Sequence, residues 1–423
     1  MTVGENLGPD PFISPPYTNC PNCGRSESFG VLMVNHRNYL RRCHQCRHTE
    51  QFALPSLDKR LIYLDQLALS NLAKARDEEA PMTDEQRFWE DALQRLTHVV
   101  RLQLVACPLS IFHEEEGLVW RGYEILRAIG RSLSAELQFL DYTAVRNGQL
   151  YEHAQLWAQG RGDETSGVDA DRVLEGDRHG WQPRLLIDAR LPVTDDVIAE
   201  LNSAREAEDV GLADVWSGWR GEDVSFETRF REEALSYGPV VLRLVAARAA
   251  AMLDPPTVAA FQLINDEAAV TLLTVRHALE DGGLAQDDSL DQAMKYLTSD
   301  SLLNVPFNRL SSLLYAALAR RARSGQKGVT RGMTNDVRMI STLLPYCDAM
   351  FVDNECRTLL GENPIPGRLG YATRLFSHSN KNEFLDYLDE IEASASPEHI
   401  ALVDAVYGAG YERGQFARSS ARS

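Results

Sequence analysis

The sequence lacks any feature that would place the protein in or across a membrane. No apolar run among its 423 residues approaches the length of a membrane-spanning helix. The first ten residues contain no basic segment followed by an apolar one, so we expect no secretory signal. These absences predict a cytoplasmic protein with no membrane partner.

Two common catalytic signatures are also absent. The sequence has no Gly-x-x-x-x-Gly-Lys loop, so nucleotide hydrolysis through such a loop has no support. It also has no recognisable motif for a serine or cysteine nucleophile. If the chain is an enzyme, we expect its chemistry to come from other side chains.

The chain has fewer basic than acidic residues, and the two kinds are unevenly distributed along it. The net charge of −18 disfavours binding of nucleic acid through the overall electrostatic field. Residues 20–48 nevertheless carry a net charge of +4, whereas residues 161–220 carry −7. One hypothesis from charge alone is that the acidic stretch shields an active site until an activating protein partner binds.

Four of the seven cysteines form two closely spaced pairs. The pairs are Cys20-Pro-Asn-Cys23 and Cys43-His-Gln-Cys46, with 19 residues between them. In a cytoplasmic protein this spacing predicts a Zn²⁺ site rather than disulfides, because four thiolates can converge tetrahedrally on one ion. The pattern resembles a zinc ribbon. The other three cysteines lie in or beside apolar stretches and are predicted to be small buried residues: Cys107, Cys347 and Cys356.

Two roles are open for the predicted ribbon. A four-cysteine zinc site is closed and performs no chemistry, so the ribbon can be a folding module that packs against the body. Alternatively, its basic and aromatic surface can dock nucleic acid or a protein. The arginines that would contact nucleic acid in the second case are Arg37, Arg41, Arg42 and Arg47.

Four carboxylates stand at positions where a sheet-based metal site would need them. Asp65 and Asp353 each directly follow a short apolar run that is typical of a buried strand. Glu116 lies on a helical segment after a third such run, and Asp336 opens a helical stretch. Acids at the carboxyl ends of buried strands face the crevice where open α/β sheets bind ligands. Because Mg²⁺ and Mn²⁺ prefer carboxylate oxygens, the four acids predict a divalent-metal site.

The order of the predicted elements indicates an α/β fold with a parallel sheet flanked by helices. Strands are predicted over residues 61–64, 104–107, 349–352 and 374–377. Five helices are predicted around these strands. Two of them span residues 83–100 and 379–388, and the other three begin at Ser70, at the cap residue Ser110 and at Asp336.

The acid positions and their surroundings resemble the PIN-like nuclease superfamily. The most specific stretch is Asn335–Asp353, and the next is Ser110-x-x-His113-x-x-Glu116. The resemblance covers residues 60–117 and 330–390. It implies that Asp65 is a central metal ligand, that Asp336 and Asp353 complete the shell, and that Glu116 binds metal directly or through water.

The resemblance departs from compact members in the long segment between the second and third acids. Residues 229–253, 257–279 and 307–323 within it show helical periodicity, whereas 161–225 are predicted to be irregular. We read the segment as a helical cap that shapes substrate access or mediates homo-oligomerisation. The predicted organisation is a zinc ribbon (1–55), a first PIN-like part (56–117), a helical insertion (118–330), a second PIN-like part (331–395) and a C-terminal tail (396–423).

Each acid also has an ordinary structural interpretation. Asp336 can be a helix N-cap, Asp65 and Asp353 can be turn residues, and Glu116 can belong to a solvated helix face. Asp348 competes with Asp353 as the fourth ligand, but it precedes its strand and should lie at the opposite end of the sheet. Further candidates around the metal are His113, Gln66, Asn335 and Glu355, of which His113 can equally be a buried structural histidine.

The function that this sequence predicts is phosphodiester hydrolysis by a Mg²⁺- or Mn²⁺-dependent endonuclease. The habits of the superfamily favour RNA over DNA as substrate. The alternatives are a nuclease for single-stranded or branched DNA, and a non-catalytic scaffold that binds nucleic acid or protein.

Overall fold

The computed structural model describes residues 12–75, 83–118, 122–184, 195–252, 266–326, 328–329 and 332–408. Its strands are β1 Ser14–Thr18, β2 Phe29–Val34, β3 Asn38–Cys43, β4 Thr49–Ala53, β5 Arg60–Leu64, β6 Val105–Ala106, β7 Gln138–Phe139, β8 Leu174–Glu175, β9 Ala349–Phe351 and β10 Arg374–Phe376. Its helices are α1 Gln66–Lys74, α2 Asp84–Arg101, α3 Ile111–Gly117, α4 Tyr123–Leu133, α5 Tyr142–Ala158, α6 Asp195–Arg220, α7 Phe226–Met252, α8 Glu267–Asp281, α9 Ser289–Leu297, α10 Pro306–Arg323, α11 Met333–Leu343, α12 Asn354–Leu360, α13 Lys381–Ala393 and α14 Pro397–Tyr407. None of these helices is both long and apolar enough to cross a membrane.

A four-stranded parallel sheet forms the centre of the protein, as the sequence predicts. Its order is β10-β9-β5-β6. Strand β5 therefore lies between β6, which follows it in the chain, and β9, which comes much later in the chain. Ile62 of β5 lies opposite Ala349 of β9, and Leu61 lies opposite Ala106 of β6. The chain therefore changes direction across the sheet at β5, and ligand crevices of open α/β sheets form at such points.

Both faces of this sheet are covered by helices, which explains why its strands are apolar throughout. Alternate residues of β5 point to opposite faces: Ile62 and Leu64 enter a core with α1, α2, α4 and α13, and Leu61 and Tyr63 enter a core with α6, α10, α11 and α12. Helix α4 falls within the range predicted as insertion, yet it packs in the core of the sheet. The sheet domain therefore continues beyond residue 117.

The rest of the predicted insertion is mostly helical. Helices α7 and α10 match the predictions for 229–253 and 307–323 closely. Helix α8 matches the later part of the prediction for 257–279, and residues 253–265 lie outside the described residues. These helices, together with α5 and α9, share a separate apolar core.

The prediction of irregular structure over 161–225 is wrong for its second half, where α6 spans 26 residues. The helix carries Leu212, Trp216 and Trp219 on one side, and all three are buried in the core beside α10 and α11. The spacing of these three residues is helical, but the many acidic and small residues around them obscure the periodicity in the sequence. Tertiary packing of a few large side chains thus stabilises this helix.

The N-terminal strands β1–β4 form an antiparallel sheet that packs on α14 and on the segment around Trp181. Trp181 is fully buried and donates its indole N–H to Pro55 O at 2.8 Å, and Tyr407 donates its hydroxyl to Gln182 O at 2.7 Å. Part of the predicted C-terminal tail is therefore a helix that completes this layer. Residues 409–423 lie outside the described residues.

Candidate active-site cleft and metal centres

The four predicted acids line one cleft of about 600 Å³ at the carboxyl ends of β5 and β9. Asp65 follows β5 and caps α1, accepting the Ala68 N–H through Oδ1 at 2.8 Å. Asp353 follows β9 and caps α12 in the same way. Each cap uses one carboxylate oxygen and leaves the other as a potential metal ligand. Capping and metal binding are therefore compatible at these two residues.

The other two acids reach the cleft from helices. Asp336 lies in the first turn of α11, which begins three residues earlier, so it is not the N-cap of that helix. Glu116 lies near the end of α3 and is half-buried in the cleft wall. The structure thus brings together acids that are separated by up to 288 residues in the chain.

Burial and mutual repulsion make the acid cluster a poor place for uncompensated negative charge. Burial, with repulsion from Asp353 and Glu116, raises the pKa of Asp336 to about 8. Burial likewise raises the pKa of Asp65 well above its usual value, and the three neighbouring acids add to the effect. A divalent cation would stabilise the ionised forms of these carboxylates. Hard oxygen donors are also the ligands that Mg²⁺ and Mn²⁺ prefer.

An orphaned polar atom beside the cluster also fits a bound cation. Gln66 lines the cleft, and its buried Oε1 has no hydrogen-bond partner within the described part of the chain. A buried amide oxygen without a partner is costly, and a bound cation or its water shell would satisfy it. The residues present therefore fit a divalent metal.

Cys356 is a candidate ligand that the sequence analysis missed. It is buried, as predicted, but its sulfur lies with carboxylate oxygens of Asp336 and Asp353 in a group whose atoms are all within 4.8 Å of one another. Cys356 follows Asp353 by three residues on α12, and residues at that spacing share one face of a helix. That spacing was the signal that could have identified it.

His113 has the bonding of a structural histidine. Its Nδ1 accepts the Ser110 N–H at 3.0 Å, and its Nε2 donates to Leu64 O at 2.7 Å. Burial lowers the pKa of His113 to about 4, so the ring is neutral at physiological pH. The side chain ties the helix that carries Glu116 to the strand that precedes Asp65, and it therefore holds two of the acids in register.

The remaining candidates occupy different places. Asn335 is buried and lines the cleft, whereas Glu355 forms an ion pair with Arg321 at 3.7 Å. Asp348 lies at the other end of β5, where its carboxylate accepts the Leu61 N–H at 2.8 Å, so it does not join the cluster. Two residues of α6 that the sequence analysis did not single out also line the cleft, namely Asn202 and Asp209. Among the described residues, the cleft lining contains no arginine or lysine.

The four cysteines of the predicted ribbon also converge. The sulfurs of Cys20 and Cys46 are 3.6 Å apart, and those of Cys23 and Cys43 are 3.8 Å apart. Zn–S bonds of about 2.3 Å in a tetrahedral site place neighbouring sulfurs about 3.8 Å apart. The cluster could therefore hold a structural zinc ion, and its sheet supplies the hairpin between the two pairs.

The structure reassigns part of the predicted nucleic-acid surface of the ribbon. Arg41 is buried, and its guanidinium donates to Thr18 Oγ1 at 2.8 Å and to Ala405 O at 2.7 Å, so it ties the ribbon to α14 and is removed from the set of surface contacts. Arg37 forms an ion pair with Asp177 at 3.1 Å. Arg42 and Arg47 are half-buried.

No protein-family model, no curated protein and no solved structure matches this chain.

Proposed function

We propose that this protein is a PIN-like, divalent-metal-dependent endonuclease that acts on RNA. The observation that carries the proposal is the convergence of Asp65, Glu116, Asp336 and Asp353 in one cleft at the carboxyl ends of two adjacent parallel strands. Each acid alone has an ordinary structural explanation. Four of them, drawn from distant parts of the chain into one cleft, repel one another, and a bound divalent cation would offset that repulsion.

The chain's own residues hold and orient the centre. Asp65 and Asp353 are fixed by their capping bonds, and His113 holds the strand and the helix beside them. A cation bound here would supply a water molecule that is nucleophilic near neutral pH and would stabilise the charge that develops on the phosphate. Because the described lining of the cleft has no arginine or lysine and its one histidine, His113, is neutral, we expect the scissile phosphate to bind mainly through that cation.

We further propose that the four-cysteine cluster binds one structural zinc ion. The ion would keep the β1–β4 sheet folded. The folded sheet is then held against α14 by Arg41 and by the core around Trp181. Nucleic-acid contact by the ribbon would then fall to Arg42 and Arg47 rather than to Arg41.

The test is cleavage of labelled single-stranded RNA and DNA of one sequence by the zinc-loaded full chain. Reactions contain Mn²⁺, Mg²⁺ or EDTA, and the zinc content is measured after each. We expect metal-dependent cleavage of RNA that Asp65→Asn reduces by at least about 100-fold, since a lost first ligand weakens the centre at least as much as a lost supporting residue. Glu114→Gln on α3 is the matched control, because Glu114 is exposed and does not line the cleft.

Each outcome of this assay has a definite meaning. Cleavage of DNA alone would correct the substrate class. Cleavage that Asp65→Asn retains would place the activity elsewhere. No cleavage by the folded, zinc-loaded protein, together with no binding of Mn²⁺, would overturn the proposal and favour a scaffold.

Cys356 should tune the choice of metal. If its thiolate reaches the cation, Cys356→Ser replaces a soft donor with a hard one, and the preference for Mn²⁺ over Mg²⁺ should fall by roughly 10-fold. Titration with Cd²⁺ gives a second measurement: exchange at the four-cysteine cluster should give thiolate-to-cadmium absorption in the ultraviolet in both proteins, and the wild type should show the additional absorption of one further thiolate. Cys107→Ser, at a buried cysteine outside both clusters, should change neither result.

A further inference from the structure

Helix α6 of the insertion forms one wall of the acidic cleft. Asn202 and Asp209 line the cleft, and Trp216 is buried in the core beneath. These three residues are spaced by seven, so they lie on one face of the helix. The buried tryptophans at its carboxyl end anchor the helix, while the polar residues nearer its amino end face the acids.

Asp209 makes a specific bond to the helix that carries Asp336. Its Oδ1 accepts the Gly332 N–H at 3.1 Å, across 123 residues of sequence. Gly332 is the N-cap of α11 and offers no side-chain cap of its own. Its φ of +88° lies in the left-handed region that favours glycine. Asp209 therefore accepts from another helix the N-cap N–H that a Glu or Gln at the third helical position accepts in a capping box, and it places a carboxylate at the positive end of α11.

The same glycine connects directly to the proposed metal ligand. The carbonyl of Gly332 accepts the Asp336 N–H at 3.1 Å, which closes the first turn of α11. A chain of two hydrogen bonds thus runs from the carboxylate of Asp209 through one peptide residue to the backbone of Asp336. A change in the position of α6 would therefore alter the turn that places the Asp336 carboxylate.

We propose that Asp209 is a positioning residue for Asp336, and that the helical insertion is thereby a working part of the site rather than a separable cap. Its effect on cleavage rests on the proposed nuclease function, whereas its effect on the first turn of α11 does not. Asn202, exposed on the same face of α6, is placed to contact the substrate strand. The acidic segment therefore contributes to the order of the site.

The test compares Asp209→Ala with Asp209→Asn in the full chain. Asparagine keeps an oxygen that can accept the Gly332 N–H, whereas alanine removes it. Asp214→Ala is the matched control, because Asp214 is an exposed acid on the same helix and does not line the cleft. The measurements are amide hydrogen exchange over residues 332–337, the Mn²⁺ concentration at half-maximal thermal stabilisation, and kcat and KM for cleavage.

Alanine is expected to speed exchange in the first turn of α11 and to weaken Mn²⁺ binding by roughly 10-fold, as lost supporting residues do. Asparagine should return the exchange rate and the Mn²⁺ affinity close to the wild-type values. The recovery of activity in this variant should appear in kcat more than in KM. Exchange in Asp209→Ala equal to that of Asp214→Ala would overturn the positioning role. An asparagine variant as impaired as the alanine variant would overturn it in favour of a purely electrostatic effect.

The exchange measurement separates this inference from the nuclease proposal. If the wild-type protein neither cleaves nor binds Mn²⁺ but the alanine variant loosens α11, the positioning role stands and the proposed function fails. Asn202→Ala completes the set: it should raise KM several-fold while leaving kcat, Mn²⁺ binding and exchange unchanged. A fall in kcat with unchanged KM would contradict the substrate contact.

Discussion

Replacing Asp336 with asparagine is expected to stabilise the metal-free protein while removing its activity. The acid is half-buried beside Asp353 and Glu116, so its ionised form is disfavoured in the folded state. Asparagine has nearly the same shape without the charge. We expect the variant to unfold about 2–4 °C higher at pH 8, which corresponds to roughly 2–4 kcal/mol in a protein of this size. The same change should reduce metal-dependent cleavage by at least about 100-fold.

The effect on stability should depend on pH in a defined direction. The pKa of Asp336 is about 8 in the folded state, against 3.8 for an ordinary aspartate. As pH rises from about 4 to 8, the unfolded chain therefore ionises this group while the folded protein resists ionisation. Stability of the metal-free wild type is thus lost progressively over that window, and the loss should be smaller in Asp336→Asn.

Thermal unfolding between pH 4 and 8, with and without Mn²⁺, measures this prediction. Mn²⁺ at pH 8 should restore the thermal stability of the wild type, because bound metal stabilises the folded state by mass action. It should have little effect on the unfolding temperature of the variant. Asp386→Asn is the matched control, since Asp386 is an exposed acid on α13. Equal pH dependence of wild type and Asp336→Asn would show that this acid does not carry the buried charge.

Removing one ligand of the cysteine cluster is the second change for which we expect a large effect. Cys43, the last residue of β3, is fully buried, and its thiolate would be one of four holding the zinc ion. Cys43→Ser should release that zinc and unfold the β1–β4 sheet, because structural zinc supplies on the order of 10 kcal/mol to small domains of this kind. The loss should spread to α14, since Arg41 bonds to Ala405 O and the two parts share a core.

Zinc content by elemental analysis and thermal unfolding measure this prediction. The wild type should contain one zinc ion per chain, and the variant should contain less and unfold at a lower temperature. Cys107→Ala tests the loss of an ordinary buried cysteine. It should keep its zinc and cost about 1–2 kcal/mol through the small cavity that it leaves. A Cys43→Ser variant that retains full zinc content would rule out the four-cysteine centre.

The sequence by itself determined the features that depend on neighbouring residues. The spacing of Cys20, Cys23, Cys43 and Cys46 identified the cysteine cluster, because each pair is close enough in the chain to bind one ion. Apolar runs with helical segments between them identified the parallel sheet. The acids at the ends of two of those runs, Asp65 and Asp353, were placed at one edge because parallel strands all end on the same side.

Only the tertiary structure decided which residues from distant parts of the chain meet in the cleft. Asp209 and Asn202 stand in an acidic segment that the sequence marked as irregular, and the burial of Trp216 and Trp219 in the core beside the central sheet makes that segment a wall of the cleft. Arg41 was expected at the surface because its side chain is charged, but it is buried against α14. The reason is physical: such contacts depend on the packing of whole helices, and no local pattern of charge or hydrophobicity records which helix lies above which strand.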